Sequence, residues 1–368
     1  MNHPRLTFKS VRARSISVPM NRPLGTSSAT MDKAPFLLLD LYTDEGVVGH
    51  AHIFCYRDFA APLIRKAVEV AGELLVGAPL QPEIIKNICG SYFMLLGNQG
   101  IVGMAISGLD VACWDALAKA SGLPLSQYLG SDIQSLSAYN SNGLSISSNL
   151  ADKIAIAEEA QALLEQGFKA LKIRLGREDH AEDVKAVKAV REVISSGTAL
   201  MSDYNQALSL SEALERGLDL QQEGLYWIEE PLPYQDLEGN AQVVKTLQVP
   251  IQNGENYSSP DFLSLAMKMK SMDYIMIDLM RIGGVSGWMQ AAELAKEADL
   301  LLSSHLYPEV SAHLLAASTT SHWLEYIDWA EIFIAEPVSI SDGIVKISAS
   351  VGTGVAWQED VVTHYELD

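Results

Sequence analysis

The sequence is short of several things, and each shortage removes a class of protein. It has only three cysteines, Cys55, Cys89 and Cys113, scattered through the first third of 368 residues. That is too few and too scattered for a disulfide scaffold or a cysteine-bound zinc, so the expectation is three reduced, buried thiols in a cytoplasmic protein. Positive charge is scarce: 26 Lys+Arg stand against 46 Asp+Glu, a formal net charge of −20. Such a field repels phosphate, which argues against a nucleic-acid partner. A small anionic ligand would therefore need local positive charge of its own. Phosphate loops are missing as well. Gly283-Gly284 and Gly352-Thr-Gly354 fit neither the dinucleotide nor the Walker pattern. No apolar run is expected to span a bilayer, which takes about 20 residues. Nor does an apolar core follow the basic residues Arg5, Lys9, Arg12 and Arg14, as a signal peptide would require. The chain reads as mature, soluble and cytoplasmic, without a membrane partner.

What remains has two textures. Residues 1–130 open with strand-like stretches at Arg14–Pro19 and Phe36–Tyr42, and the turn Thr43-Asp-Glu-Gly46 leads into Val47–His52 as a hairpin. Helical patterns follow at about 58–76, 82–95 and 100–120, the last apolar on most sides and hence buried. This is an α+β unit. Residues 20–34 read as a long small-residue loop of the kind that forms a lid. Leu24 and Met31 are apolar, but Asn21, Arg22, Thr26, Ser27, Ser28, Thr30 and Asp32 are polar, which favours hydroxylated ligands over a bare aryl group.

From about residue 137 short apolar segments alternate with helical ones. Eight candidate strands begin near 137, 170, 199, 225, 249, 274, 300 and 323. Eight strand-helix units in about 190 residues predict an α/β barrel of the (β/α)₈ type. A polar residue ends strand after strand. Asp203, Glu229 and Glu255 are 26 residues apart, Asp278 follows after 23, His305 after 27 and Glu325 after 20. Residues at the C-terminal strand ends of a barrel converge on one mouth. One such acid alone would be a solvated strand end. Three in register repel one another unless a hard cation joins them, and Mg²⁺ accepts carboxylate oxygens. Asp278, one unit before His305, can fix the tautomer of its ring and make it a base. Lys172 and Arg174 are two apart on one strand, so both face the barrel interior and supply the local positive charge.

With Lys172-x-Arg174, Asp203-Tyr-Asn205-Gln, Trp227-Ile-Glu229-Glu-Pro, Gly254-Glu255-Asn, Asp278 and Ser304-His305-Leu assembled, the chain resembles the enolase superfamily, and within it the mandelate racemase subgroup. The resemblance runs from about residue 10 onward and includes Arg281-Ile-Gly-Gly-Val-Ser-Gly-Trp288 and His322-Trp-Leu-Glu325. It implies an N-terminal α+β capping domain (1–130), a modified (β/α)₇β TIM barrel (131–329) and a C-terminal tail (330–368) returning to the cap. It also implies one Mg²⁺ per subunit on Asp203, Glu229 and Glu255, a His305–Asp278 dyad, and an octameric homo-oligomer. Lys172, Asn205 and Glu325 match positions that hold the substrate carboxylate and the developing enediolate, with Glu325 a donor if protonated. Loop 20–34, with Leu24 and Met31, and Tyr56 match specificity loops, and Ser141 lies near a substrate contact.

One residue departs from the pattern. The racemase of the subgroup has a second lysine where this chain has Arg174, and an arginine hardly ever gives up its proton. The expected activity is therefore Mg²⁺-dependent dehydration of a sugar acid or other polyhydroxy acid, with Arg174 orienting the substrate by bidentate hydrogen bonds. Two alternatives stand beside it. One is a racemase or epimerase of a 2-hydroxy acid, with Arg174 acting or one base acting alone. The other is a non-catalytic metal and carboxylate binder.

Overall fold

The computed structural model describes residues 4–27, 29–146 and 153–367. The N-terminal part is an antiparallel sheet of β1 (Phe8–Gly25), β2 (Thr30–Thr43) and β3 (Val48–Phe54), in that order. The turn between β2 and β3 needs Gly46 at φ +85°, and Gly46 N donates to Thr43 O at 3.2 Å. Helices α1 (Ala60–Leu75), α2 (Pro82–Tyr92) and α3 (Gly100–Ala120) follow. α3 lies so close on β3 that a Cβ on Gly49 would come within 2.0 Å of Ala112 O. Contrary to the expectation that no stretch is long enough, α3 is long and apolar enough to cross a membrane, but most of it is buried inside the protein. A buried helix needs no polar face, which is why its apolar residues run right round it.

Residues 20–34 are not the loop that their composition suggests. Residues 20–25 and 30–34 are the far ends of β1 and β2. A register shift between Pro19 and Leu24 is followed by renewed pairing, Leu24 with Met31 and Gly25 with Thr30. Pairing across the hairpin outweighs the low strand propensity of Asn21, Pro23 and Gly25. Ser28 lies outside the described residues.

The second part is a parallel sheet of β4 (Ser135–Asn140), β5 (Ala170–Arg174), β6 (Ala199–Asp203), β7 (Ile228–Glu229), β8 (Ile251–Asn253), β9 (Tyr274–Asp278), β10 (Leu302–His305) and β11 (Leu324–Tyr326). Each of β4 to β9 pairs with the next, and β11 returns to β4. Between β10 and β11, Ser304 N donates to Trp323 O at 3.1 Å, and Leu302 forms a parallel bridge with Ser321. A helix follows each of β4 to β10, among them Leu237–Thr246 and Pro308–Ala316. Residues 357–367 come back to the first sheet. Leu367 N donates to Ser15 O at 2.7 Å, and Trp357 Nε1 donates to Asp40 Oδ1 at 2.6 Å. Buried Arg14 bonds Asp40 at 3.1 Å and Glu359 at 2.5 Å.

Asp110 of α3 joins cap to barrel and gives a pH prediction. It accepts from Ser286 N at 3.0 Å, while burial, only partly offset by that serine, pushes its carboxyl up to about 7. The folded state therefore binds more protons here than the unfolded chain between about pH 4 and 7, and this contribution to stability falls as pH rises through that window. Asp110→Asn should remove that part of the slope, stabilising the protein at pH 8 by up to roughly 4 kcal/mol relative to wild type. Thermal unfolding of both proteins at pH 5 and 8 measures it; parallel curves would exclude the effect.

Candidate active site

The strand register sets the site. Arg174 pairs with Asp203, Asp203 with Glu229, and His305 with Asp278, so the polar strand ends stand side by side. Glu255 lies two residues past β8. The chain turns at Gly254, φ +134°, where a Cβ would strike Met276 O at 2.5 Å, so only glycine lets Glu255 swing into the mouth. Oxygens of Asp203, Glu229 and Glu255 then lie within 4.8 Å of one another. All three side chains are buried. Asn205 backs Asp203, donating from N at 2.7 Å and from Nδ2 at 3.0 Å.

Lys172 Nζ sits at the centre of this charge, 2.7 Å from Glu229, 2.8 Å from Glu325 and 3.3 Å from Asp203. Burial alone would lower its pKa, but these carboxylates raise it. Burial pushes the Glu229 carboxyl up to about 8; Lys172 opposes this, and Asp203 and Glu325 add to it. That crowding is what a divalent cation relieves, and three carboxylate oxygens are a fitting donor set for Mg²⁺. Glu325 differs from the expected proton donor. Burial opposes its ionisation, but Lys172, His305 and a 2.8 Å bond from Leu306 N hold it down to about 2.

His305 Nδ1 is 2.7 Å from Asp278 Oδ2, and Asp278 is itself fixed by Met280 N and Arg281 N at 2.8 and 3.0 Å. Its other nitrogen, Nε2, faces the triad, 3.3 Å from Glu255. Burial disfavours charge on the ring, but Glu255, Asp278 and Glu325 outweigh it and raise the imidazole to about 9. A cation on Glu255 would weaken that pull and bring the ring nearer to neutrality.

Arg174 is largely committed to the protein. Nη1 donates to Ser141 O at 3.0 Å and Gly143 O at 3.1 Å, and Nη2 donates to Ser141 Oγ at 3.2 Å. Its buried Nε has no partner among the described residues, so the donors left for a ligand are Nε and one hydrogen of Nη2. Ser141 lies behind Arg174 and does not line the cavity, whereas Leu24, Met31, Tyr56 and Asn205 all do.

The cavity holds about 380 Å³. It brings in residues that the sequence reading did not assign. Arg281, three past Asp278, lies over the Tyr56 ring at 4.8 Å and donates to Asn256 Oδ1. Asn256 Nδ2 donates to both Glu230 oxygens, at 2.8 and 3.0 Å, and to Glu255 at 3.2 Å. Trp329 and Ile327 arrive from the segment after β11. Gly-Glu255-Asn256 and the Arg281 motif were in view as motifs, but only the fold shows that they touch the site.

The described geometry has counterparts among known proteins. The N-terminal domain of the mandelate racemase / muconate lactonizing enzyme family matches residues 10–130, and the enolase C-terminal domain-like family matches residues 155–361. The chain belongs to the mandelate racemase and muconate lactonizing enzyme family of the enolase superfamily. Its fold is that family's capping α+β domain on an α/β barrel. It is 30% identical over 329 residues to the L-talarate/galactarate dehydratase of Salmonella typhimurium, covering 89% of this chain and 82% of that one. A solved enolase from Bradyrhizobium, complexed with magnesium and mandelic acid, is 38% identical over 99% of each chain, with a TM-score of 0.92. A solved alphaproteobacterial (BAL199) enolase with bound magnesium is 39% identical, covering 98% of this chain and all of that one, with a TM-score of 0.95. Curated relatives also include cycloisomerases, epimerases and racemases, so the family's members are lyases and isomerases.

Proposed function

We propose that this protein is a Mg²⁺-dependent enzyme that removes the α-proton of a small carboxylate substrate, with His305 as the base, and that the outcome is dehydration. The observation that carries the reading is the His305–Asp278 contact of 2.7 Å with Nε2 turned to the acid triad. Asp203, Glu229 and Glu255 would hold the cation, which when bound supplies Lewis-acid stabilisation of the substrate's carboxylate oxygens. Lys172 places a fixed positive charge where the enediolate's negative charge develops, and Glu325 and Glu229 hold that ammonium in position. Arg174 steers a substrate oxygen through Nε. Asn205 orients Asp203, and Tyr56, Leu24 and Met31 shape the far end of the cavity, with Ser141 positioning Arg174.

With no second base opposite His305 among the described residues, α-proton removal alone achieves nothing lasting. A β-hydroxyl makes it productive. His305 Nε2 takes the α-proton, the electron pair forms the enediolate, and the C–O bond at the β-carbon breaks. The proton returns from His305 to the departing hydroxide, giving water, and the enol becomes a 2-keto acid. The relatives that are sugar-acid dehydratases support this outcome. The enzyme is a soluble cytoplasmic one on this reading. A homo-oligomer fits the cap's outer turn, where Tyr92, Met94, Leu95 and Leu96 are all exposed.

The test is 2-keto acid formation from a panel of acids in D₂O. Chelation should abolish turnover and Mg²⁺ restore it, and Glu229→Gln should weaken Mg²⁺ affinity by about tenfold or more. Deuterium should enter recovered substrate from one face only, and Arg174→Lys should open exchange at the other. Full activity in metal-free protein, or equal exchange from both enantiomers of a 2-hydroxy acid, would refute the reading.

A further inference from the structure

The cavity has two unlike halves. The inner half carries charge: Lys172, Arg174, the acid triad, His305 and Glu325. The outer half has an apolar wall. The cap hairpin contributes Leu24 and Met31, which are cross-strand partners, and Phe54, Ile327 and Trp329 stand beside them. The Phe54 ring lies 5.0 Å from Trp329 and 4.7 Å from Tyr56, so three rings make one continuous wall.

Three of the hairpin's polar side chains bond away from the cavity. Asn21 Nδ2 donates to Asp328 at 3.0 Å, Arg22 Nη1 to Glu159 at 3.2 Å, and Ser27 Oγ to Tyr204 O at 3.1 Å. Thr26 does line the cavity, but its hydroxyl bonds Ala29, donating to O at 3.3 Å and accepting from N at 3.1 Å. Two cations reach this half. Arg281 is stacked on Tyr56 and bonded to Asn256, and Arg57 is exposed at the rim. The polar composition of residues 20–34 thus gives the wrong impression of the surface they offer.

A hydroxyl lodged against this wall exchanges water for carbon. An unpaired buried hydroxyl weakens binding by roughly tenfold or more. A sugar acid with hydroxyls along its whole chain would suffer this at each outer carbon that lies against the wall, out of reach of Arg57 and Arg281. The inner half, in contrast, has donors and acceptors for a carboxylate and two adjacent hydroxyls. We propose that the substrate is a 2,3-dihydroxy acid that carries no hydroxyl beyond C3 and ends in a branched or ring-sized apolar group. This rests on the dehydration reading above, because one base gives net chemistry only when a β-hydroxyl can leave. The balance is unchanged: the α C–H and β C–O bonds break, water leaves, and a 2-keto acid with the apolar tail remains. About 380 Å³ holds such a molecule.

The experiment compares four acids with the Mg²⁺-loaded enzyme: 2,3-dihydroxy-4-methylpentanoate and 2,3-dihydroxy-3-phenylpropanoate, each as all diastereomers, gluconate, and mandelate. Keto acid formation and α-deuterium uptake are read together. One of the two apolar-tailed acids should give kcat/KM at least tenfold above gluconate. Met31→Gln and Leu24→Gln should each shrink that ratio by about tenfold. In calorimetry, an unreactive hydroxamate with a phenyl ring should bind more tightly than one with a polyhydroxylated chain. A preference for gluconate, or a ratio unmoved by both substitutions, overturns the substrate class and leaves the dehydratase reading standing. Racemisation of mandelate faster than any dehydration overturns the need for a β-hydroxyl. If no acid exchanges its α-proton, the dehydratase reading itself fails, and the substrate class with it.

Discussion

His305→Asn should abolish α-proton exchange while Mg²⁺ binding persists. Asparagine can keep the hydrogen bond to Asp278 that the ring makes at 2.7 Å, so the substitution removes the base and spares the scaffold. A positioned general base contributes about 10²–10⁴ in rate, and with Arg174 unable to substitute for it the loss should lie at the upper end. The metal should still bind, since His305 touches Glu255 at 3.3 Å but is not one of the three clustered acids. Deuterium uptake reports the base and Mg²⁺ titration reports the site. Retention of exchange at even a tenth of the wild-type rate would mean that another group takes the proton.

Lys172→Met should cause a loss of both activity and fold stability, and Mg²⁺ should reduce the second. Lys172 is fully buried and lies within 3.3 Å of three carboxylates that are also buried. Methionine fills the volume but leaves those acids uncompensated. Removing one partner of a buried ion network typically costs about 3–5 kcal/mol. A divalent cation supplies part of the missing charge, so the melting temperature of the variant should rise more on adding Mg²⁺ than that of wild type. Catalysis does not return, because the charge aimed at the enediolate is gone; a fall of about 10² or more in kcat is expected. A metal-free variant as stable as wild type would show that Lys172 does not hold the acids together.

These effects also show what the sequence could and could not reveal. The acid triad was legible because strand-helix units have nearly constant length, so a 26-residue interval becomes a step around the barrel. The dyad was legible for the same reason, as His305 and Asp278 are register partners. Glu255 needed the bend at Gly254, a backbone event with no periodic trace. Arg174 was legible as an inward cation, but its hold on Ser141 and Gly143 depends on how the segment after β4 crosses the barrel end. The charge state of Glu325 escaped because it is decided by Lys172, 153 residues away in sequence. Residues 20–34 were misread because composition reports propensity, and pairing with a partner strand overrides it. Arg281 and Trp329 lie just beyond strand ends, where spacing no longer says which way a side chain turns.

The return of residues 357–367 to β1 bears on how the chain is made. Ser15 and Arg14 leave the ribosome early, yet Leu367 and Glu359, which bond them, are synthesised more than 340 residues later. At about 5–20 residues per second, β1 waits tens of seconds with Arg14 lacking Glu359 and with its outer edge uncovered. An exposed strand edge invites pairing with another nascent chain. The first sheet can form its hairpins in that interval, but its final closure is a late event, contingent on completion of the barrel. Chains stalled before residue 357 should accordingly be more prone to aggregation and to proteolysis near residues 8–20 than completed ones.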